Sequence, residues 1–273
     1  MNAQINAQAS IPDYCIVIPA RMASQRLPGK PLARLAGLSL IEHVYRCARE
    51  SAASQIIIAT DDEKIASHAR DFGASVQLTS ASHPSGSDRI AEVAAALQWP
   101  DGTIIVNLQG DEPLMPAACL DQVATLLHAD HSAGMASLYW PISNAHEARD
   151  PNVVKVVLAQ NGNALYFSRS LLPYPRDWID TENGPRNGLE QALKSGVQWR
   201  RHVGLYAYRA GALKRFTATP ATPLEQTEKL EQLRMLESGG RIVMAEACEF
   251  IPPGVDTPED LARVENIISK QVK

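Results

Sequence analysis

The sequence predicts an α/β protein in which helices flank a mixed central sheet and a smaller antiparallel lobe is attached. In the first half, short apolar runs alternate with stretches of helical periodicity, a pattern typical of parallel sheets. From residue 135 onward, strand-like runs follow one another directly, and Asn161-Gly162 signals a hairpin between two of them. Strands are predicted at 14–19, 55–59, 75–78, 103–108, 135–141, 153–160, 164–168 and 201–209, with helices at 40–53 and 63–72.

The composition indicates a globular protein whose partner is a small molecule. The chain has 273 residues, of which 45% are hydrophobic, and this is enough for a sizeable core. Its net charge of −4 argues against a nucleic-acid partner. Residues 1–13 lack the pattern of a signal peptide, and no apolar run has the length of a membrane span. We therefore expect a cytoplasmic protein without a membrane partner, with a flexible N-terminal extension at 1–13 before a single domain at 14–273.

The cysteines predict neither a zinc site nor a redox pair. They are far apart in the sequence and form no C-x-x-C motif. We expect all four to be reduced residues of the core: Cys15, Cys47, Cys119 and Cys248.

Capping signals mark two helix starts in the interior of the chain. Ser87 follows a turn-rich linker and is the candidate N-cap of the next helix. Residues 222–225 read TPLE, a capping box with proline at the first helical position, and predict a helix at 223–238.

A basic loop follows the first strand. Pro19 has no N–H to donate and is predicted to end the strand. Arg21, Arg26 and Lys30 follow, with a Pro-Gly turn signal before the lysine. Cations at the carboxyl end of a strand face the crevice where open α/β sheets bind ligands, and they suit a polyphosphate. The alternative is a solvated loop whose charges serve solubility.

Two acidic residues also lie at the ends of predicted elements. Asp111 follows the strand at 103–108, where a carboxylate suits Mg²⁺ because this ion is usually held by one or two carboxylates and phosphate oxygens. The alternative is a turn aspartate that accepts from its own backbone. Asp256 precedes Thr257, the candidate N-cap of a last helix at 259–270, so the helix dipole keeps its carboxylate ionised.

Several motifs occur together in a fixed order. They read PARMASQRLPGKPL at 19–32, HPSGSDR at 83–89, QGDEP at 109–113, LEQLR at 230–234 and GVDTPEDL at 254–261. In this order the chain resembles the sugar-nucleotide cytidylyltransferases, and within them those acting on 3-deoxy-manno-octulosonate (Kdo). The resemblance covers about residues 14–265. It implies a Rossmann-like nucleotide-diphospho-sugar transferase fold and transfer of CMP from CTP to the anomeric hydroxyl of Kdo, which gives CMP-Kdo and diphosphate for lipopolysaccharide biosynthesis.

The resemblance also implies roles for individual residues. Lys30, Arg21 and Asp111 are the implied catalytic residues, and Asp111 and Asp256 are the implied ligands of Mg²⁺. The implied nucleotide-binding residues are Arg21, Ser24, Arg26, Lys30, Ser85 and Arg89. The implied sugar-binding residues are Gln109, Arg169, His202, Tyr206, Glu231 and Gln232.

Some of these residues also have a structural interpretation. Arg169 suits a surface salt bridge, and a lone histidine such as His202 is more often structural than a ligand. Glu231 and Gln232 also suit a solvated helix face.

The resemblance further implies a division of the domain. About 14–134 and 240–273 would bind the nucleotide, and about 135–239 would form a lobe for the sugar acid and for a homodimer contact. The segment at 172–201 is longer than is usual in that family, and no role is predicted for it.

Three other functions remain compatible with the motifs. A cytidylyltransferase for 8-amino-Kdo or a sialic acid would differ only in its sugar-contacting residues. A second possibility is a non-catalytic nucleotide-binding regulator. The two carboxylates Asp111 and Asp256 argue against it, because a regulator would not need them. A scaffold would not need charged residues gathered at strand ends.

Overall fold

The computed structural model describes residues 10–23, 26–179 and 188–271. The strands are β1 (Cys15–Ala20), β2 (Arg34–Leu35), β3 (Leu38–Ser39), β4 (Gln55–Thr60), β5 (Ser75–Leu78), β6 (Ile104–Asn107), β7 (Met135–Pro141), β8 (Lys155–Leu158), β9 (Ala164–Ser168), β10 (Arg200–Arg209) and β11 (Ile242–Glu246). The helices are α1 (Leu40–Arg49), α2 (Glu63–Asp71), α3 (Gly86–Ala96), α4 (Ala117–Ala129), α5 (Ala145–Arg149), α6 (Gly188–Lys194), α7 (Ala210–Ala218), α8 (Pro223–Glu228), α9 (Gln232–Glu237) and α10 (Pro258–Gln271). Most of the predicted extension, residues 1–9, lies outside the described ranges.

The predicted mixed sheet is confirmed. Its strand order is β11-β7-β10-β6-β1-β4-β5. β1 is parallel to β4 and β6, β4 is parallel to β5, and β11 is parallel to β7. β10 is antiparallel to both of its neighbours, β6 and β7. The carboxyl ends of β1 and β6 therefore lie at the same edge of the sheet, where the predicted site residues follow them.

The sheet is covered on both faces, as its apolar strands predict. On β1, Ile16 and Ile18 pack into one hydrophobic cluster and Val17 packs into another, because successive side chains of a strand point to opposite faces. Helices α1 and α4 contribute to the first cluster, and helices α3 and α7 contribute to the second. Within the described ranges, no helix has both the length and the apolar character that a membrane crossing requires.

The predicted hairpin at Asn161-Gly162 is also confirmed. β8 and β9 pair in antiparallel fashion, and Gly162 has a φ of 86° that suits a turn glycine. The hairpin joins the sheet where Lys155 of β8 pairs with Arg201 of β10. The region at 135–239 thus supplies β7 and β10 to the central sheet as well as this antiparallel pair.

Two predicted boundaries were wrong. β1 does not end at Pro19, since it continues to Ala20, which pairs with Thr60 of β4. A proline is tolerated at position 19, although it has no N–H to donate, because the pairing of β1 with β6 has already ended at Val17. The N-cap of α3 is Ser85 instead of Ser87: its side chain accepts from the backbone N of Asp88 at 3.3 Å.

The single helix predicted at 223–238 is divided into α8 and α9. The capping box at its start is present, as predicted. Lys229, however, adopts a left-handed conformation with φ 56°, which ends α8. The break lies just before Glu231, so that residue begins a new helix instead of continuing a solvated face.

Candidate active site

A cavity of about 800 Å³ opens at the carboxyl ends of β1 and β6. A cavity in this position is where parallel α/β sheets bind ligands. The site residues predicted from the sequence that line it are Arg21, Arg26, Lys30, Ser85, Arg89, Gln109, Asp111 and Asp256. Ser24 lies outside the described residues.

The ammonium group of Lys30 connects the three segments that form one wall of this cavity. Its Nζ donates to Oδ2 of Asp111 at 2.6 Å, to Oδ1 of Asp256 at 3.1 Å and to the carbonyl oxygen of Val255 at 2.9 Å. Burial opposes the charge, but the two carboxylates outweigh it and raise the pKa of Lys30 above its ordinary value. Lys30 is therefore a cation at neutral pH. Gly29, with φ 68°, makes the turn that begins the short 3-10 helix carrying the lysine.

Asp111 and Asp256 are brought together by a close approach of their backbones. The N–H of Val255 donates to the carbonyl oxygen of Asp111 at 2.8 Å. A Cβ at Gly254 would lie 2.8 Å from the same oxygen, so this contact needs glycine. Arg26 also pairs with Asp256, with its Nη2 3.0 Å from Oδ2. The two carboxylates thus face one region from chain segments that are distant in sequence.

These carboxylates fit a divalent cation. Hard cations prefer carboxylate oxygens, and Mg²⁺ usually completes its coordination with water and substrate phosphates. In the described part of the chain, no group of three or more Asp, Glu, His or Cys side chains is arranged to hold a metal ion. The protein would accordingly supply the two carboxylates, and the remaining ligands would come from elsewhere.

Glu112 lies next to this site, and the sequence left it without a role. Burial, together with the charges of Asp111 and Asp256, raises the pKa of its carboxyl group to about 8. A carboxyl group that is largely protonated at neutral pH adds little negative charge beside the other two. Its position next to Asp111 in the QGDEP motif was the only signal that could have identified it.

Ser85 and Arg89, the two predicted nucleotide ligands at α3, have different partners. The Ser85 hydroxyl lies 2.7 Å from Oδ2 of Asp88 and 2.9 Å from Oε1 of Glu231. Arg89 is buried, with its Nη2 3.1 Å from Oδ1 of Asp61. Its charge is therefore already paired at the cavity wall, whereas Arg21 is exposed on the loop.

The residues predicted to bind sugar do not all line the cavity. Gln109 lines the cavity, and its Nε2 donates to Oδ1 of Asn107 at 3.3 Å. Arg169 donates through Nε to the carbonyl oxygen of Glu228 at 2.7 Å and through Nη1 to that of Pro151 at 3.1 Å. Arg169 is not among the residues that line the cavity, and its role in binding a carboxylate stays a prediction.

His202 and Tyr206 are neighbours on β10. Their ring centroids are 5.3 Å apart, and the His202 ring also packs edge-on against Phe167. Nε2 of His202 lies 3.0 Å from the Ser137 hydroxyl. Burial lowers the pKa of His202 to about 3, so the imidazole is neutral at neutral pH and offers a hydrogen bond without a positive charge.

Glu231 and Gln232 lie at the start of α9. Glu231 accepts from Ser85 and, at 3.1 Å, from Ser87, and burial raises the pKa of its carboxyl group. Among the described residues, the buried Nε2 of Gln232 has no hydrogen-bond partner. An unused buried donor is costly in a protein interior unless a ligand or water accepts from it. Arg234, which the sequence did not single out, is held by Glu225 at 2.6 and 2.8 Å.

The sequence profile of the family described as Cytidylyltransferase matches residues 15–242. The chain belongs to this cytidylyltransferase family. It is thus a nucleotidyltransferase of a family whose enzymes generally use a divalent metal, which agrees with the chemistry of the Asp111 and Asp256 carboxylates.

Several curated relatives are similar over nearly their whole length. A 3-deoxy-manno-octulosonate cytidylyltransferase of Alkalilimnicola ehrlichii is 49% identical over 258 residues, which cover 94% of this chain and 97% of the relative. The enzyme of the same name from Haemophilus influenzae is 48% identical, with 94% of this chain and 99% of the relative covered. The Pseudomonas fluorescens enzyme is 49% identical, with 93% and 98% covered.

Solved cytidylyltransferase structures have the same fold. A CMP:2-keto-3-deoxy-manno-octonic acid synthetase in complex with CTP superposes with a TM-score of 0.84 at 36% identity, covering 95% of this chain and 100% of that one. A 4-diphosphocytidyl-2C-methyl-D-erythritol synthase gives a TM-score of 0.57 at 14% identity, with 94% and 100% covered, and supports the fold alone.

Proposed function

We propose that this enzyme transfers CMP from CTP to the anomeric hydroxyl of Kdo and releases diphosphate, a step of lipopolysaccharide biosynthesis. The observation that carries the proposal is the position of the Lys30 ammonium between Asp111 and Asp256 on the lining of the cavity. The names of the relatives supply the substrates: they are Kdo cytidylyltransferases, and one related structure holds CTP.

The residues of the basic loop act by neutralising charge. In the proposed reaction the anomeric hydroxyl attacks the α-phosphorus in line, and catalysis of phosphoryl transfer is mostly positioning and electrostatic stabilisation. Lys30 can approach a phosphate oxygen as a point charge, while Arg21 and Arg26 can each present two parallel N–H donors. Arg21 and Arg26 are exposed on the loop and lie on the cavity lining, so both can reach a triphosphate there.

Asp111 and Asp256 would hold Mg²⁺. When bound, this ion supplies positive charge to the phosphate oxygens and lowers the pKa of a coordinated hydroxyl. Lys30 keeps the two carboxylates close together, since it donates to both. Arg26 binds the second oxygen of Asp256 and restrains the orientation of that carboxylate.

The proposed acceptor pocket combines hydrogen-bond donors with one carboxylate. Gln109 lines the cavity, and the buried Nε2 of Gln232, which has no hydrogen-bond partner among the described residues, would be a second donor for a sugar hydroxyl. Glu231 can accept from hydroxyl groups, since a carboxylate has more lone pairs than its two serine partners use. Tyr206, with His202 beside it, offers a phenolic hydroxyl.

The main alternatives are 8-amino-Kdo and a sialic acid as acceptors. An 8-amino sugar carries an ammonium group at its tail and would need a carboxylate in addition to Glu231, which the matched motifs do not provide. The deciding experiment measures diphosphate release with each of the four nucleoside triphosphates and a panel of sugar acids. Turnover restricted to CTP and Kdo supports the proposal, and comparable turnover with ATP would refute a cytidine pocket.

We also propose a homodimer formed through the region at 135–239, and a cytoplasmic location. Two apolar side chains in that region are unusually exposed, Leu165 at 61% and Tyr174 at 63%, and such residues often lie at interfaces. All four cysteines are free thiols, as in reducing compartments. Light scattering should give twice the chain mass of 29.7 kDa. A monomer at micromolar concentration would contradict the dimer.

A further inference from the structure

Two cysteines that are distant in the sequence lie close together in the fold. Sγ of Cys119, in the first turn of α4, lies 3.8 Å from Sγ of Cys248, in the segment that follows β11. Cys119 is buried and Cys248 is exposed. The expectation that all four cysteines belong to the core is therefore wrong for Cys248, whereas Cys119 is buried in the core as expected.

The local structure holds the two thiols opposite each other. The side chain of Gln122 accepts from the backbone N of Cys248 at 2.9 Å and donates to the carbonyl oxygen of Glu246 at 2.7 Å. The N–H of Ala247 donates to the carbonyl oxygen of Tyr139. These bonds fasten the segment to α4 and β7, so the thiols do not meet by a chance motion of a free loop.

We propose that Cys119 and Cys248 form an intramolecular disulfide when the protein meets a hydroperoxide, which makes the pair a redox modification site. The bonded distance between sulfurs is about 2.05 Å, so the exposed Cys248 side chain must move toward Cys119 before the bond forms. This proposal does not depend on the substrate of the enzyme.

The exposed thiol reacts first. The Cys248 thiolate attacks one oxygen of the hydroperoxide, the O–O bond breaks, and Cys248 becomes a sulfenic acid while hydroxide or alkoxide leaves and takes up the thiol proton. The Cys119 sulfur then attacks the sulfenic sulfur, the S–O bond breaks, and the proton of Cys119 leaves with the hydroxide as water. The two thiols together lose two electrons, which reduce the peroxide bond. Burial raises the pKa of Cys119 to about 12, so this thiol is not the one that reacts first with the peroxide.

The bond would restrain a segment that leads into the candidate active site. The connection from β11 to α10 contains both Cys248 and Asp256, whose carboxylate contacts Lys30. A disulfide at its beginning would join it covalently to α4.

The test uses the full-length protein and hydrogen peroxide. After treatment, remaining thiols are blocked with iodoacetamide, and the digest is searched for a peptide pair linked through Cys119 and Cys248. We expect the linked pair in the wild type and in the control Cys47→Ser, whose half-buried thiol lies on α1. It should be absent from Cys248→Ser and Cys119→Ser, and a reductant should remove it.

Thermal unfolding provides a second readout. A cross-link stabilises mainly by restricting the unfolded chain, so the oxidised wild type and oxidised Cys47→Ser should each gain roughly 5–10 °C in Tm, reversible by dithiothreitol. Oxidised Cys248→Ser should show no such gain. The proposal is overturned if peroxide converts Cys248 to a sulfinic acid, or links Cys248 of two chains, without forming the internal bond.

Discussion

The hydroxyl of Ser85 lies 2.9 Å from Oε1 of Glu231 and donates a hydrogen bond to it. Ser85 is the N-cap of α3, and Glu231 lies directly after the break between α8 and α9. The bond therefore joins the segment proposed to bind the nucleotide to the segment proposed to bind the sugar acid. Binding of one substrate can affect the other through this contact.

A double-mutant cycle tests that connection. Ser85→Ala should cost about 1 kcal/mol of stability through loss of the cap, and it should raise KM for Kdo as well as for CTP. Groups in direct contact usually show a coupling energy of at least about 0.5 kcal/mol, so Ser85→Ala combined with Glu231→Gln should depart from additivity by that amount in kcat/KM. The exposed Ser82→Ala is the control. Strict additivity would mean that the two segments act independently.

The metal assignment is tested by two near-isosteric changes. Asp111→Asn and Asp256→Asn should each lower kcat by roughly 100-fold or more while circular dichroism and Tm remain close to wild type, since asparagine keeps the shape but lacks the charge. The exposed Asp71→Asn should retain full activity. Chelation should abolish turnover and added Mg²⁺ should restore it. Activity that survives a chelator would exclude the proposed role of the carboxylates.

Lys30→Ala separates catalysis from binding. If the ammonium acts chiefly on the charge that develops at the phosphorus, kcat should fall by an amount corresponding to roughly 2–4 kcal/mol, and KM for CTP should change less. Lys64→Ala, at an exposed position of α2, is the matched control. A change confined to KM would identify Lys30 as a binding residue only.

The lowered pKa of the His202 imidazole predicts a dependence of stability on pH. Between about pH 3 and 6.5 the unfolded chain protonates this histidine while the folded protein keeps it neutral, so the unfolded state binds more protons. Its contribution therefore raises the free energy of unfolding as pH increases through this window. The loss of Tm from pH 7 to pH 4 should be smaller in His202→Gln than in the wild type. The exposed His146→Gln should lose as much as the wild type, and an equal loss in all three would show that His202 titrates normally.

Selectivity for the acceptor is tested by competition. At limiting CTP, Kdo should outcompete 8-amino-Kdo and a sialic acid by at least the roughly 1–3 kcal/mol that a modest mismatch in a pocket is worth. The readout is the identity of the CMP-sugar formed. If the amino-sugar product predominates, residues outside the matched motifs, for example in the segment at 172–201, must set the specificity.

The sequence alone determined the features that depend on neighbours within a few residues. Alternating apolar runs predicted the central strands, Asn161-Gly162 predicted the hairpin, and TPLE predicted the start of α8. Such signals are visible because turn geometry, capping and strand periodicity are set by the local chain. The order of the family motifs added the roles of residues that local patterns leave open.

Tertiary structure alone decided which distant groups share an environment. Lys30 meets Asp111 and Asp256 across 81 and 226 positions of the sequence, and Cys119 meets Cys248 across 129. The neutral state of His202 likewise depends on burial by other elements. Coulombic attraction and desolvation act through space, so they exist only once the sheet has brought these segments together.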